Sequence, residues 1–119
     1  MVGYLLVKRI DLLHGTLDLM ILQTLRWGPQ HGHGIGQAIR TSSRDAFQVE
    51  HGSLYPALHR LERKGWIAAK WERSGKDQER EFKFYRLTPA GRKQLTAEES
   101  KWLKLTDAIS RIIRPAEEG

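Results

Sequence analysis

Residues 53–67 read Ser53-Leu54-Tyr55-Pro56-Ala57-Leu58-His59-Arg60-Leu61-Glu62-Arg63-Lys64-Gly65-Trp66-Ile67. At about 100° per residue, Leu54, Ala57, Leu58 and Leu61 share one side of a helix. Tyr55, Pro56, His59 and Arg63 share the other, with Arg60 at its edge. The segment predicts a helix from about Ser53 to Lys64. Ser53 is a suitable N-cap, and Pro56 then falls in the first turn, where a missing N–H matters least. Gly65 is a suitable left-handed stop. One face of this helix belongs to a core. The opposite face is polar, aromatic and basic.

Upstream, Thr16 to Trp27 predicts a first helix, with Thr16 as cap and Asp18 in the first turn. Leu17, Leu19, Met20, Ile21, Leu22 and Leu25 surround most of its circumference, so it is expected to be central. Gly28-Pro29 ends it. A short second helix spans His33 to Arg40, with Ile35, Ala38 and Ile39 on one face. Thr41-Ser42-Ser43 reads as a break.

Downstream, Trp66 to Glu72 and Arg80 to Thr88 read as two strands of a hairpin, joined by a long charged loop from Arg73 to Glu79. The second strand carries Phe82 and Phe84 on one face and Tyr85 and Leu87 on the other. Both faces are apolar, so alternation leaves open which one meets the core. Thr88-Pro89 then opens a helix that runs to about Ile113. Leu95, Trp102, Leu105, Ile109 and Ile112 follow a spacing of three and four residues, a stripe with no evident intrachain surface to cover. A second copy of the chain is the expected cover, which makes these five the candidate dimerisation residues.

The chain has 119 residues, 39% of them hydrophobic, which suits one small domain. Twenty Lys and Arg stand against 14 Asp and Glu, giving a net charge of +6. That balance favours a polyanion. There is no cysteine, which excludes disulfides, thiolate metal sites and cysteine nucleophiles. No apolar run is long enough for a membrane span, and no cleavage site follows the first residues. A cytoplasmic protein is expected. The five histidines lack the spacing of a helical zinc site, so no metal is expected. No phosphate-cradling glycine loop or nucleophile motif is present, so neither catalysis nor a cofactor is expected.

The order helix, helix, helix, hairpin, helix predicts a fold that is α+β but mainly α: a winged helix-turn-helix (1–88, with an N-terminal arm) and a C-terminal dimerisation helix with a short tail (89–119). Cations that neutralise phosphates and side chains that reach base edges are the two requirements of DNA binding. Ser53, Tyr55, His59, Arg60, Arg63 and Lys64 on the third helix are the candidates for a major groove. Arg73 and Lys76 are the candidates at the hairpin. The alternative, from another functional class, is a winged helix that contacts only protein.

Four segments carry a resemblance: Leu13-His14-Gly15-Thr16-Leu17-Asp18-Leu19, Gly32-His33-Gly34-Ile35, the stretch quoted first, and Tyr85-Arg86-Leu87-Thr88-Pro89-Ala90-Gly91. Together they resemble PadR-family transcriptional regulators over about residues 12–113. The resemblance implies a homodimeric repressor of the short subgroup with a single C-terminal helix. Its partner would be a pseudo-palindromic double-stranded operator. Tyr55 matches the family's recognition-helix tyrosine, which would contact the DNA backbone or brace the helix against it. His33 departs from the tyrosine often found there, and Glu50-His51-Gly52 replaces a commoner Pro-Gly pattern. Some relatives stack planar ligands on a tryptophan of the last helix. Trp102 therefore has two readings, a site for a small aromatic effector or a plain dimer-core aromatic.

Overall fold

The computed structural model describes residues 14–74 and 77–114. Lys76 and the N-terminal arm lie outside the described residues. The elements are α1 (His14–Leu25), β1 (Gln30–His31), α2 (Gly32–Ser42), α3 (His51–Arg63), β2 (Ile67–Ser74), β3 (Asp77–Leu87) and α4 (Pro89–Ile113). The strands form one antiparallel sheet in the order β1-β3-β2.

Leu17, Ile21, Leu22 and Leu25 of α1 lie at the centre and meet Ile35 and Ile39 of α2 and the four apolar residues of α3. α1 packs against α2, α3, β3 and α4. This explains a helix apolar around most of its surface: each side meets a different neighbour. The α3 core face is as its spacing predicts, with Leu54, Ala57, Leu58 and Leu61 buried. The hairpin's inner face is also settled. Tyr85 and Leu87 join the core. Phe82 and Phe84 lie on the opposite face, where the His31 ring approaches them at 5.4 and 5.5 Å.

Several expectations need correction. α1 starts at His14, so Thr16 lies inside its first turn rather than at the cap. α3 starts at His51, two residues before Ser53. Glu50 is the residue at its N-cap, and its backbone carbonyl accepts from the N–H groups of Ser53 and Leu54 at 2.9 Å. Pro56 is consequently inside the helix and has no N–H to offer the Gly52 carbonyl. The long loop between the strands is absent. The strands continue until Ser74 pairs with Asp77, with a register shift beside Arg73. Opposite charges hold this outer ladder, since Arg73 faces Glu81 directly and pairs with it at 3.7 Å. β1 forms directly after the Gly28-Pro29 stop, and the His31 Nδ1 there caps α2 by accepting from the Gly34 N–H at 3.0 Å.

Leu95 is the largest revision to the C-terminal stripe. It is only 4% exposed and belongs to the chain's own core, so it is not available to a partner. Beyond it α4 leaves the body: Trp102, Leu103, Leu105, Ile109, Ile112 and Ile113 are all exposed. The longest dimension of the molecule is 65 Å against 32 and 24 Å, and a helix of 25 residues spans roughly 37 Å of it.

One junction ties α3, the hairpin and α4 together. The chain turns out of α3 at Gly65, whose φ is +78°. The N–H of Gly65 donates to Glu62 and that of Trp66 to Leu61, a Schellman closure. The Trp66 carbonyl then accepts from the Thr88 N–H at 3.1 Å. The Thr88 hydroxyl donates to the Gly65 carbonyl at 2.6 Å and accepts from the Gly91 N–H at 2.9 Å. A side chain at Gly91 has no room, because its Cβ would run into the Trp66 carbonyl oxygen. Gly91→Ala is expected to destabilise the fold by about 3 kcal/mol, at the upper end of ordinary overpacking. Chemical denaturation measures this, and an unchanged midpoint contradicts the tight junction.

Candidate nucleic-acid interface

The outer face of α3 and the inner face of the hairpin bound one groove of about 810 Å³. Tyr55, Pro56 and His59 line it from α3, and Trp71, Lys83 and Tyr85 from the sheet. The first residues of α2 close its end. Tyr55 is held there by shape: a Cβ on Gly32 would lie 2.6 Å from the Tyr55 hydroxyl oxygen. The His51 ring meets Tyr55 edge-on at 5.4 Å. Tyr55 is thus braced between α2 and the start of its own helix while keeping an exposed edge.

The candidate residues separate into groups. Tyr55, His59 and Arg63 are exposed on one face of α3, and Lys64, also exposed, follows its last residue. Ser53 is half-buried in the first turn of α3 rather than standing at its tip. Arg60 turns toward α1, where its guanidinium forms an ion pair with Asp18. That pair is a strut between helices, and its partial burial lends it more weight than a surface pair. Arg73 is exposed on the hairpin and pairs with Glu81. The Lys64 ammonium lies 4.7 Å from the Trp66 ring centre, which holds it at the end of α3.

Several residues of this surface were not singled out from sequence. Lys83 pairs with Glu62 at 3.5 Å and lies 5.4 Å from the Tyr85 ring. Burial pushes the Tyr85 phenol above its ordinary value, while the neighbouring Lys83 charge pulls it down. Trp71 is 62% exposed on the strand facing α3. The period of two, which places Trp71 with Ala69 on the inner face, was the signal for it. His51 reaches the surface because α3 starts earlier than its capping residues imply. Among the described residues no group of three or more metal-ligating side chains occurs.

The α3–hairpin pairing, with a helix crossing behind it, is the geometry of a winged helix. A family model described as the transcriptional regulator PadR-like family matches residues 21–97. The chain belongs to the PadR-like family of transcriptional regulators. It is 30% identical over 101 residues to an uncharacterized protein of Lysinibacillus sphaericus, covering 85% of this chain and 91% of that one. It is 36% identical over 88 residues to a transcriptional regulator of Mycobacterium tuberculosis, covering 74% and 68% respectively. Among solved structures, a transcriptional regulator from Clostridium thermocellum superposes with a TM-score of 0.77 at 26% identity, covering 88% of this chain and 97% of the other. A PadR-family regulator from Eggerthella lenta gives 0.72 at 28% identity, over 90% and 89%.

These matches bear out the resemblance carried by the four sequence segments and the α+β, mainly helical winged fold. The PadR-like family consists of transcriptional regulators rather than enzymes. No described helix is long and apolar enough to cross a membrane.

Proposed function

We propose that this PadR-like regulator is a cytoplasmic, homodimeric repressor that binds a pseudo-palindromic DNA operator and is released by a small aromatic effector. The observation that carries the reading is the two-faced α3. Its core face is packed into the chain's interior, which leaves Tyr55, His59 and Arg63 exposed on the outside of the helix and Lys64 exposed just past its end. In this reading α3 enters a major groove and Ser53 lies near the phosphates. Arg73, and Lys76 beyond the described residues, reach the adjacent backbone. Arg60 contributes indirectly, by fixing α3 against α1.

Dimerisation rests on the part of α4 beyond Leu95. Trp102, Leu105, Ile109 and Ile112 leave a long apolar stripe in water, and contiguous exposed apolar surface marks an interaction site. A second copy covers it and sets two α3 helices about 34–36 Å apart, one turn of DNA. The effector reading rests on a groove of about 620 Å³ between α1, α2 and α4, lined by Met20, Trp27, Phe47 and Trp102 among others. Its mostly apolar walls suit a planar ring. Because Trp102 belongs to both features, a ligand there changes the helix that spaces the dimer.

Three measurements test these parts. In gel shifts with a duplex carrying the chain's own upstream region, affinity is expected to fall steeply with salt. Arg63→Ala is expected to weaken it and to lower the salt slope by about one. Salt-independent binding, or none, favours the protein-contact alternative. Ile109→Glu is expected to shift the chain from dimer to monomer in analytical ultracentrifugation, and a persisting dimer rules out the α4 stripe as its interface. Planar aromatic compounds are expected to quench tryptophan emission in the parent and not in Trp102→Ala. Equal quenching in both removes Trp102 from the effector site.

A further inference from the structure

The inner face of the hairpin carries a large apolar ring where charge alone is expected at a DNA surface. Trp71 stands directly opposite Lys83, on the face that holds Ala69 and Tyr85 nearer the core. It is 62% exposed and forms one wall of the groove whose other wall is α3. The cations on both sides of it are already engaged. Directly across the ladder, Lys83 pairs with Glu62, and toward the tip, Arg73 pairs with Glu81. The ring therefore stands beside two ion pairs in each of which the charges offset.

We propose that Trp71 clamps one sugar–phosphate strand of duplex DNA in the groove between α3 and the hairpin, packing its ring on a deoxyribose. This rests on the DNA-binding reading above. Trp71 lies three residues short of Ser74, which is roughly 10 Å below the last described residue of β2. In this docking it faces the DNA strand that separates the groove holding α3 from the next groove. A deoxyribose presents an apolar edge that a ribose 2′-hydroxyl would interrupt. Phosphates on either side of that sugar are placed to compete with Glu62 for Lys83 and with Glu81 for Arg73. The occupant is continuous with the α3 face, and its charge suits a chain of net +6.

An apolar clamp has a signature that a phosphate contact lacks. It contributes affinity without releasing counterions, so its loss leaves the salt slope unchanged. It also acts on any sequence, because every nucleotide carries the same sugar.

The test uses the full chain and two 30-base-pair duplexes, one recovered by selection from a random pool and one of arbitrary mixed sequence. Trp71→Ala is expected to weaken both about tenfold with the same slope of log affinity against log salt. Trp71→Phe is expected to recover most of the loss. In the parent, emission from Trp71 is expected to shift to the blue on binding, a change missing from Trp71→Phe. Circular dichroism and melting of the variants check that the exposed position leaves the fold intact. Undiminished binding by Trp71→Ala, alongside a clear loss in Arg63→Ala, overturns the clamp and leaves DNA binding standing. A reduced salt slope in Trp71→Ala also overturns it, since the ring then acts only by placing cations. Failure of the parent chain to bind either duplex overturns both proposals.

Discussion

The contact between the Trp66 carbonyl and the first turn of α4 governs the arrangement of everything that functions. Four chain segments meet there: the end of α3, the start of β2, the end of β3 and the N-terminus of α4. Gly65 turns the chain, Thr88 bonds to both Gly65 and Trp66, and Gly91 leaves room for the approach. Each bond is worth only about 1 kcal/mol net. Their geometric effect is larger. The direction of α4 is fixed relative to α3, and the hairpin is held between them.

This constraint links the two surfaces of the PadR-like chain. α4 carries the apolar stripe, and α3 carries the basic aromatic face. Because the stripe begins only after Leu95 is locked into the core, the exposed part of α4 is anchored to the body through its first two turns. α1 stiffens the same unit from behind. It packs on both α3 and α4, and its Asp18 holds Arg60. In the proposed function, a ligand beside Trp102 would act on α4, and the outer face of α3 would feel it through this junction.

Much of this was legible in the chain. The four inward residues of α3, the stop at Gly65 and the cap at Thr88 follow from local spacing and local hydrogen-bonding capacity. What escaped depended on distant partners. β1 is a two-residue strand with no periodicity, visible only once Tyr85 and Phe84 lie beside it. The outer ladder of the hairpin resembles a loop because Arg73 and Glu81 face water and pair with each other, not with a core. Leu95 shares its spacing with the exposed stripe, and periodicity says which residues share a face without saying what covers each turn. At the site, Tyr55 was visible as an outward aromatic, but its bracing by Gly32 was not, since helix order alone does not give the closeness of α2 and α3. Trp71 differs: period-two spacing alone places it on the inner face with Ala69, but its exposure depends on how far α3 lies from the outer half of the hairpin.

The central claim is that two α3 faces, spaced by paired α4 helices, read one face of a duplex. Hydroxyl-radical footprinting of the dimer on DNA selected from a random pool tests it most directly. Two protected backbone segments separated by one helical turn, related by two-fold symmetry and lying on the same side of the duplex, are the predicted result. A single unsymmetrical protected segment, or two segments on opposite sides, would contradict the account.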